Sequence, residues 1–280
     1  AEVSMTVSRN IGIAAILLTV WPVAASADVE RYVRYEHDGA AHYGRLDGES
    51  IAELTAAPWH GGDPTGGRVQ AASVRLLAPA EPSKVFAVGY NYLSHRGDRE
   101  LPEHPPIFLK LPTTITDPEA EIIYPEGATD LHYEAEMVVV IGREARNVSP
   151  ENAGDYVFGV TAGNDVSERV WQANDLQWFR AKASDTFGPL GPVIVTGLDY
   201  NDLLVESRLN GETMQSQRTR DFIHDVEEII SHISQSATLE PGDVIFTGTP
   251  GTTSAMQPGD VIEIDVEGVG VLRNRVARAR

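Results

Sequence analysis

Glu134 and Glu136 stand two residues apart in HYEAEMVVV (132–140), at the head of an apolar run. On a strand, residues two apart point to the same side. The pattern therefore predicts two carboxylates projecting together beside a core. Such a pair is costly unless positive charge lies between them. A hard divalent cation such as Mg²⁺ or Ca²⁺, which takes oxygen ligands, supplies that charge. Two solvated glutamates at a strand's edge would give the same pattern. Asp165, in GNDVS (163–167), closes a second apolar run. Three acids from two neighbouring strand ends would make an open metal site, with positions left for water or substrate.

His95 follows a third apolar segment, in GYNYLSHRGD (89–98). Its chemistry would be that of a general base activating water, oriented by Asp98 or Glu100; a surface-loop histidine is the other reading. Lys182, in FRAKASDTF (179–187), could hold an oxyanion or a substrate carboxylate, or be an exposed charge. The small-residue loop Thr247-Gly248-Thr249-Pro250-Gly251 could bind a carboxylate through its backbone N–H groups, although it lacks the lysine and spacing of a P-loop. Without context it is a tight turn.

These residues need strands to position them. EMVVVIG (136–142) and VFGVTAGNDVS (157–167) read as strands covered on both faces, and KVFAVGYNY as a buried strand entering a turn. Residues 29–54 alternate around Asp38-Gly39 and Asp47-Gly48, a hairpin signal. Residues 56–70 are rich in Gly and Pro and predict a loop. Ser149-Pro150 marks a helix start. The segment 219–237 predicts the longest helix, with Phe222, Ile223, Val226, Ile229, Ile230 and Ile233 on one face. Pro-Gly-Asp turns at 241–243 and 258–260 each feed a strand. The expected fold is mixed α+β and strand-dominated, with a small β-rich module over 28–78 and a catalytic domain over 79–280.

Residues 1–27 are set apart from that fold. One arginine, an apolar run from Ile11 to Ala25 and the A-x-A site Ala25-Ser26-Ala27 have the layout of a signal peptide, too short for a comfortable membrane span. This predicts export or a periplasmic location. The 280-residue chain carries 22 basic and 41 acidic residues, a net charge of −19. That balance argues against nucleic acid and anionic membrane surfaces as partners. The absence of cysteine excludes disulfides, thiolate metal sites and a cysteine nucleophile. Only Lys84, Lys110 and Lys182 are lysines.

Taken in order, VGYNYLSH, PPIFLKLPTT, HYEAEMVVVIGREARNVS, VTAGNDVSERVWQ, RAKASDTFGPLGP, LNGE, LEPGDVIFTGTP and QPGDVIEIDVEGVGVLRN resemble the fumarylacetoacetate hydrolase family over residues 84–276. The resemblance implies a metal-dependent enzyme acting on short dicarbonyl carboxylic acids, usually a homodimer or larger, with Mg²⁺ or Mn²⁺ bound and Ca²⁺ in some members. It implies Glu134, Glu136 and Asp165 as metal ligands, His95 as the water-activating histidine and Lys182 as the family lysine. It further implies Gln172 and Thr249, with Gly248 and Tyr92, as the substrate-contacting positions. The chain departs from the family at Asp98, where a glutamate is usual as the histidine's partner, so Glu100 could serve instead. It also departs at Gly188, a frequent cysteine, and at Glu168, Val170 and Trp171, which predict an altered pocket shape. A signal peptide is atypical of a mostly cytoplasmic family. The implied reaction is hydrolysis of a C–C bond in an acylpyruvate-like or fumarylpyruvate-like diketo acid through a metal-stabilised pyruvate enolate. Oxaloacetate decarboxylation and keto–enol isomerisation need the same enolate, and a catalytically silent metal-binding relative is a third reading. Residues 96–106 are expected to cover the site.

Overall fold

The computed structural model describes residues 28–100 and 103–279. The signal-peptide-like segment lies outside the described residues, as do residues 101 and 102 of the expected covering segment. Among the described residues no helix is long and apolar enough to cross a membrane.

Strands dominate, and most of them belong to one twelve-stranded sheet. Its main path runs Pro64–Gln70, Ser50–Leu54, Ala40–Asp47, Glu30–His37, Gly188–Thr196, Val157–Asn164, Ala135–Ile141, Val244–Phe246, Val85–Val88, Ile107–Lys110. The N-terminal hairpins therefore continue the catalytic sheet: Glu30–His37 pairs antiparallel with Gly188–Thr196. Asp38 and Gly39 both have positive φ, 51° and 76°, as a tight hairpin turn requires. The loop expected over 56–70 is instead a 3₁₀ turn at Pro58–His60 followed by the edge strand Pro64–Gln70.

A second sheet of five strands, Glu212–Arg218, Leu204–Leu209, Val261–Val266, Gly270–Arg278 and Glu121–Tyr124, packs beside the first. Every residue of Ala135–Ile141 is buried. Met137, Val139 and Ile141 share one core with Val205, Ile262, Ile264 and Leu272 of the second sheet. Val138 and Val140 share another with Val85, Val244, Phe246 and Ile194. Two covered faces explain why this strand reads as a continuous apolar run rather than an alternating one. The predicted long helix spans Val226–Ser236; it starts later than its apolar face suggests because Asp225 caps it, accepting from Glu228 N at 2.8 Å. Phe222 and Ile223 precede the helix.

Candidate metal centre and adjoining cavity

The antiparallel pairing of Ala135–Ile141 with Val157–Asn164 sets Glu136 opposite Gly163 and Ala135 opposite Asn164. Asp165 thus begins the loop just past the strand that flanks the two glutamates. A Cβ at position 163 would lie 2.5 Å from Val138 Cγ2 and 2.6 Å from the Phe246 ring, so only glycine lets the two strands close here. Glu136 is on its strand, but Glu134 lies just before it, so the two carboxylates do not meet by strand alternation. Two bonds shape the bend that brings Glu134 inward: its N–H donates to Asn164 Oδ1 at 2.9 Å, and its carbonyl accepts from Asp165 N at 3.0 Å. Glu134, Glu136 and Asp165 offer oxygens within 4.8 Å of one another, and all three are buried.

Two lysines enter this cluster. Lys182, on the short helix Phe179–Ala183, donates to Glu134 Oε2 at 2.7 Å and Asp165 Oδ2 at 2.5 Å. Lys110, the last residue of Ile107–Lys110, donates to Asp165 Oδ1 at 2.6 Å and to the Lys182 carbonyl. Arg169 pairs with Glu134 Oε1 at 2.7 Å. Burial alone would raise the Glu134 carboxyl, but Lys182 and Arg169 outweigh it and hold it well below the usual carboxylate range. Burial also opposes the Lys182 charge, yet Asp165 and Glu134 hold its ammonium above the ordinary value. At Lys110 burial wins and pushes the ammonium down.

Glu136 differs from its neighbours. Among the described residues it has no cationic partner and accepts one hydrogen bond, from Gly248 N at 2.7 Å. Burial, and then the charges of Asp165 and Glu134, push its carboxyl well above the ordinary value. A buried carboxylate beside two others, short of counter-charge, in an all-oxygen donor set fits a hard divalent cation.

His95 lies on the short helix Leu93–Arg96. Asn91 donates to the His224 and Thr247 carbonyls, and Ser94 Oγ accepts from Gly251 N at 2.9 Å, so this turn is pinned to the 247–251 loop. His95 Nδ1 is 2.7 Å from the Gly251 carbonyl. A carbonyl only accepts, so Nδ1 carries a proton, and the tautomer this selects presents its lone pair at Nε2. Nε2 is 3.9 Å from Glu134 Oε1. The acid partner expected for His95 is not in place: the helix ends at Gly97, with φ of 62°, and Asp98 and Glu100 are exposed.

The substrate positions divide. Gln172 lines the cavity beside His95, and its Oε1 accepts from Arg169. The Thr249 hydroxyl is engaged internally, donating to the Ala135 carbonyl at 2.9 Å and accepting from Gln215 at 2.8 Å. The loop amides expected to bind a ligand carboxylate are likewise used within the protein: Gly248 N–H holds Glu136, and Gly251 N–H bonds to Ser94. A Cβ at Gly248 would sit 2.6 Å from Asn91 Cβ, and its φ is +106°, so glycine alone permits this approach. Tyr92 is fully buried against Phe222 and away from the cavity. Glu168 does not shape the pocket wall either. Its carboxylate accepts from Thr129 N, Asp130 N and Trp171 N, which caps the helix Arg169–Asn174.

A cavity of about 290 Å³ opens outside the cluster, lined by Tyr90, His95, Arg99, Arg169, Gln172 and Thr253 among others. Reading the sequence residue by residue passes over Lys110, Arg169 and Arg99. The one signal for Lys110 is the scarcity of lysine in a chain that otherwise uses arginine.

Residues 84–277 match the fumarylacetoacetate (FAA) hydrolase C-terminal family, and residues 30–79 match the Rv2993c-like N-terminal family. The chain is 44% identical over 253 residues to protein Rv2993c of Mycobacterium tuberculosis, covering 86% of this chain and 95% of that one. It is 38% identical over 217 residues to the mitochondrial oxaloacetate tautomerase Fahd2a of Rattus norvegicus, covering 72% and 69%. The crystal structure of 2-hydroxyhepta-2,4-diene-1,7-dioate isomerase from Mycobacterium marinum superposes with a TM-score of 0.83 at 41% identity, covering 89% and 98%. The chain belongs to the fumarylacetoacetate hydrolase family, whose relatives are hydrolases, isomerases and tautomerases.

Proposed function

We propose that this member of the fumarylacetoacetate hydrolase family is a divalent-metal-dependent enzyme that moves a proton on a short 2-oxo acid, interconverting its keto and enol forms. The observation that carries this reading is the setting of His95. Its Nδ1 proton is fixed on a backbone carbonyl rather than on a carboxylate, and the nearest acid, Glu134, stands 3.9 Å away on the Nε2 side. A neutral imidazole can take a proton from a carbon between two carbonyls and return it to oxygen. Without a carboxylate on Nδ1 to fix the ring and back the developing imidazolium, it is a weaker device for driving water into a carbonyl. The isomerase and tautomerase named among the similar proteins support the same class.

Glu134, Glu136 and Asp165 would hold Mg²⁺ or Mn²⁺, with Ca²⁺ as the larger alternative. A bound divalent ion supplies positive charge where enolate charge develops. Lys182 favours the ionised form of Glu134 and orients both Glu134 and Asp165. Gln172 and Arg169 face the cavity; Gln172 Nε2 offers a donor to a substrate oxygen, and Arg169 holds Gln172 and Glu134 in place. His95 Nε2 collects and returns the proton.

C–C bond hydrolysis of an acylpyruvate or fumarylpyruvate is the second reading. It is favoured by the nearness in sequence of Asp98 and Glu100, acids that could supply His95 with its missing partner. Oxaloacetate decarboxylation draws on the same enolate. The reading also includes a homodimer, supported by Leu109 on the edge strand Ile107–Lys110 and Phe179 on the helix Phe179–Ala183, 62% and 65% exposed; light scattering giving a single-chain mass would refute it.

The test of the activity uses the purified protein with Mg²⁺. Enol oxaloacetate should ketonise faster than in buffer, and His95→Gln should slow that by about 10²–10⁴-fold. Asp98→Asn and Glu100→Gln should leave it within about twofold, as exposed side chains not touching His95. Release of pyruvate and acetate from acetylpyruvate, lost in Glu100→Gln or Asp98→Asn, would establish the hydrolase instead.

A further inference from the structure

The cavity outside the carboxylate cluster has an unusual lining for so acidic a chain. The protein carries −19, yet among the described residues no carboxylate lines this cavity; its charged walls are Arg99 and Arg169, accompanied by Gln172, Thr252 and Thr253. At about 290 Å³ it has the volume of roughly ten waters at about 30 Å³ each. That is room for a short organic acid.

The two arginines are not equivalent. Arg169 is committed within the protein: it bonds to Glu134, to Thr253 Oγ1 at 2.8 Å and to Gln172 Oε1 at 2.8 Å. Among the described residues no side chain occupies the fork of Arg99. Its one hydrogen bond is to the Arg96 carbonyl at 3.0 Å, and among the described residues no carboxylate lies within ion-pair distance. Its guanidinium rests 4.8 Å over the Tyr90 ring. Tyr90 is held firmly: its backbone is in the left-handed region, φ 54°, and its ring meets His95 at 6.3 Å and Trp178 at 6.0 Å. A non-glycine residue stays there only where its surroundings over-determine it. The platform under Arg99 is thus rigid, while its planar donors remain available for a two-pronged grip on a carboxylate.

We infer that Arg99 is a specificity-determining residue that grips the second carboxylate of the substrate, so that the site prefers 2-oxo dicarboxylic acids over 2-oxo monocarboxylic acids. This rests on the proposed function insofar as the 2-oxo acid end is directed to the carboxylate cluster. Arg99 then holds the opposite end across the cavity. A monocarboxylic acid leaves that guanidinium without a partner.

The test compares binding with turnover. With Mg²⁺ present, quenching of tryptophan fluorescence, Trp178 standing beside Tyr90, is titrated with oxaloacetate and with pyruvate, which lacks the second carboxylate. The native protein should bind oxaloacetate at least tenfold tighter. Arg99→Gln should bring that ratio to within about twofold of one, Arg99→Lys should give an intermediate ratio, and the native preference should shrink on moving from 50 to 500 mM NaCl, by roughly the screening expected of exposed charge. In steady state the Arg99→Gln loss should fall on KM for oxaloacetate more than on kcat. An unchanged binding ratio in Arg99→Gln, or no native preference, overturns the inference. Ketonisation with an unchanged ratio would sink Arg99 and leave the proposed function standing; the expected ratios without any turnover would do the reverse.

Discussion

Replacing Lys110 by methionine tests whether the carboxylate cluster is held together by buried charge. Methionine nearly matches the hydrocarbon stem, so the substitution removes the ammonium without opening a cavity. The ammonium has two partners, Asp165 Oδ1 at 2.6 Å and the Lys182 carbonyl, and both are buried. Removing one member of a buried pair costs about 3–5 kcal/mol, because the other charge is left uncompensated. Asp165 retains Lys182 on its second oxygen at 2.5 Å, which places the loss at the low end, about 3 kcal/mol. At about 2–4 °C per kcal/mol for a chain of this size, the metal-free Tm should fall by about 6–12 °C. Thermal unfolding followed by circular dichroism, with EDTA and then with saturating Mg²⁺, reads both parts of the prediction. The deficit should be smaller with Mg²⁺, since a divalent ion at Asp165 restores the lost counter-charge. A metal-free drop under about 3 °C would refute the strength assigned to the pair. An equal deficit in both conditions would refute the link between Lys110 and the metal centre.

Two further outcomes follow from the same geometry. Burial and the neighbouring acids raise the Glu136 carboxyl, so the metal-free protein keeps a proton there at pH values where a free glutamate has lost it. Its stabilising contribution is complete below the unfolded value of about 4.3 and is lost as pH rises through the folded one. Mg²⁺ binding should therefore release a proton and weaken as pH falls; calorimetry in two buffers of different ionisation heat should show it, Glu136→Gln should abolish it, and buffer-independent heats in the native protein would contradict it. Gly163→Ala places a methyl 2.5 Å from Val138 Cγ2, an overpacking worth about 1–3 kcal/mol, and should splay the strand that carries Glu136. Both the denaturation midpoint and Mg²⁺ affinity should drop, and an unchanged affinity would show that the strand pair does not set the ligand geometry.

What the sequence makes legible here is what local pattern encodes. Ala135–Ile141 reads correctly because burial on two faces leaves an unbroken apolar run, and Glu134, Glu136 and Asp165 are visible because they interrupt or end such runs. Other features depend on where the chain goes next. His95 suggests an acid three or five residues on, but the helix stops at Gly97 and turns Asp98 and Glu100 to solvent. The Thr249 loop reads as a ligand nest, yet its groups are taken by Ala135, Gln215 and Glu136, partners from 34 to 114 residues away. Lys110 is one letter in an ordinary strand, and nothing local says that it reaches Asp165 across 55 residues. Buried pairs are set by topology, which leaves no periodic trace in a single sequence.

The distribution of charge, rather than its total, decides what the centre can hold. Three carboxylates would suggest a site at −3, but Lys110, Lys182 and Arg169 lie against two of them and offset nearly all of that charge. The cations sit on Glu134 and Asp165 and leave Glu136 with only a backbone N–H. A divalent ion would thus be attracted through Glu136 and positioned by two acids whose other oxygens are already fixed. With it bound the centre would carry net positive charge, which an anionic substrate would complement. The same asymmetry would let a chain at −19 recruit the organic acid proposed as its substrate. Its surface acids lie elsewhere, while among the described residues every charged side chain lining the cavity is an arginine. Moving one acid into that lining, as Thr253→Glu would, should therefore weaken oxaloacetate binding far more than the change from −19 to −20 in total charge could, because at roughly 8 Å of screening only the local charge reaches the ligand.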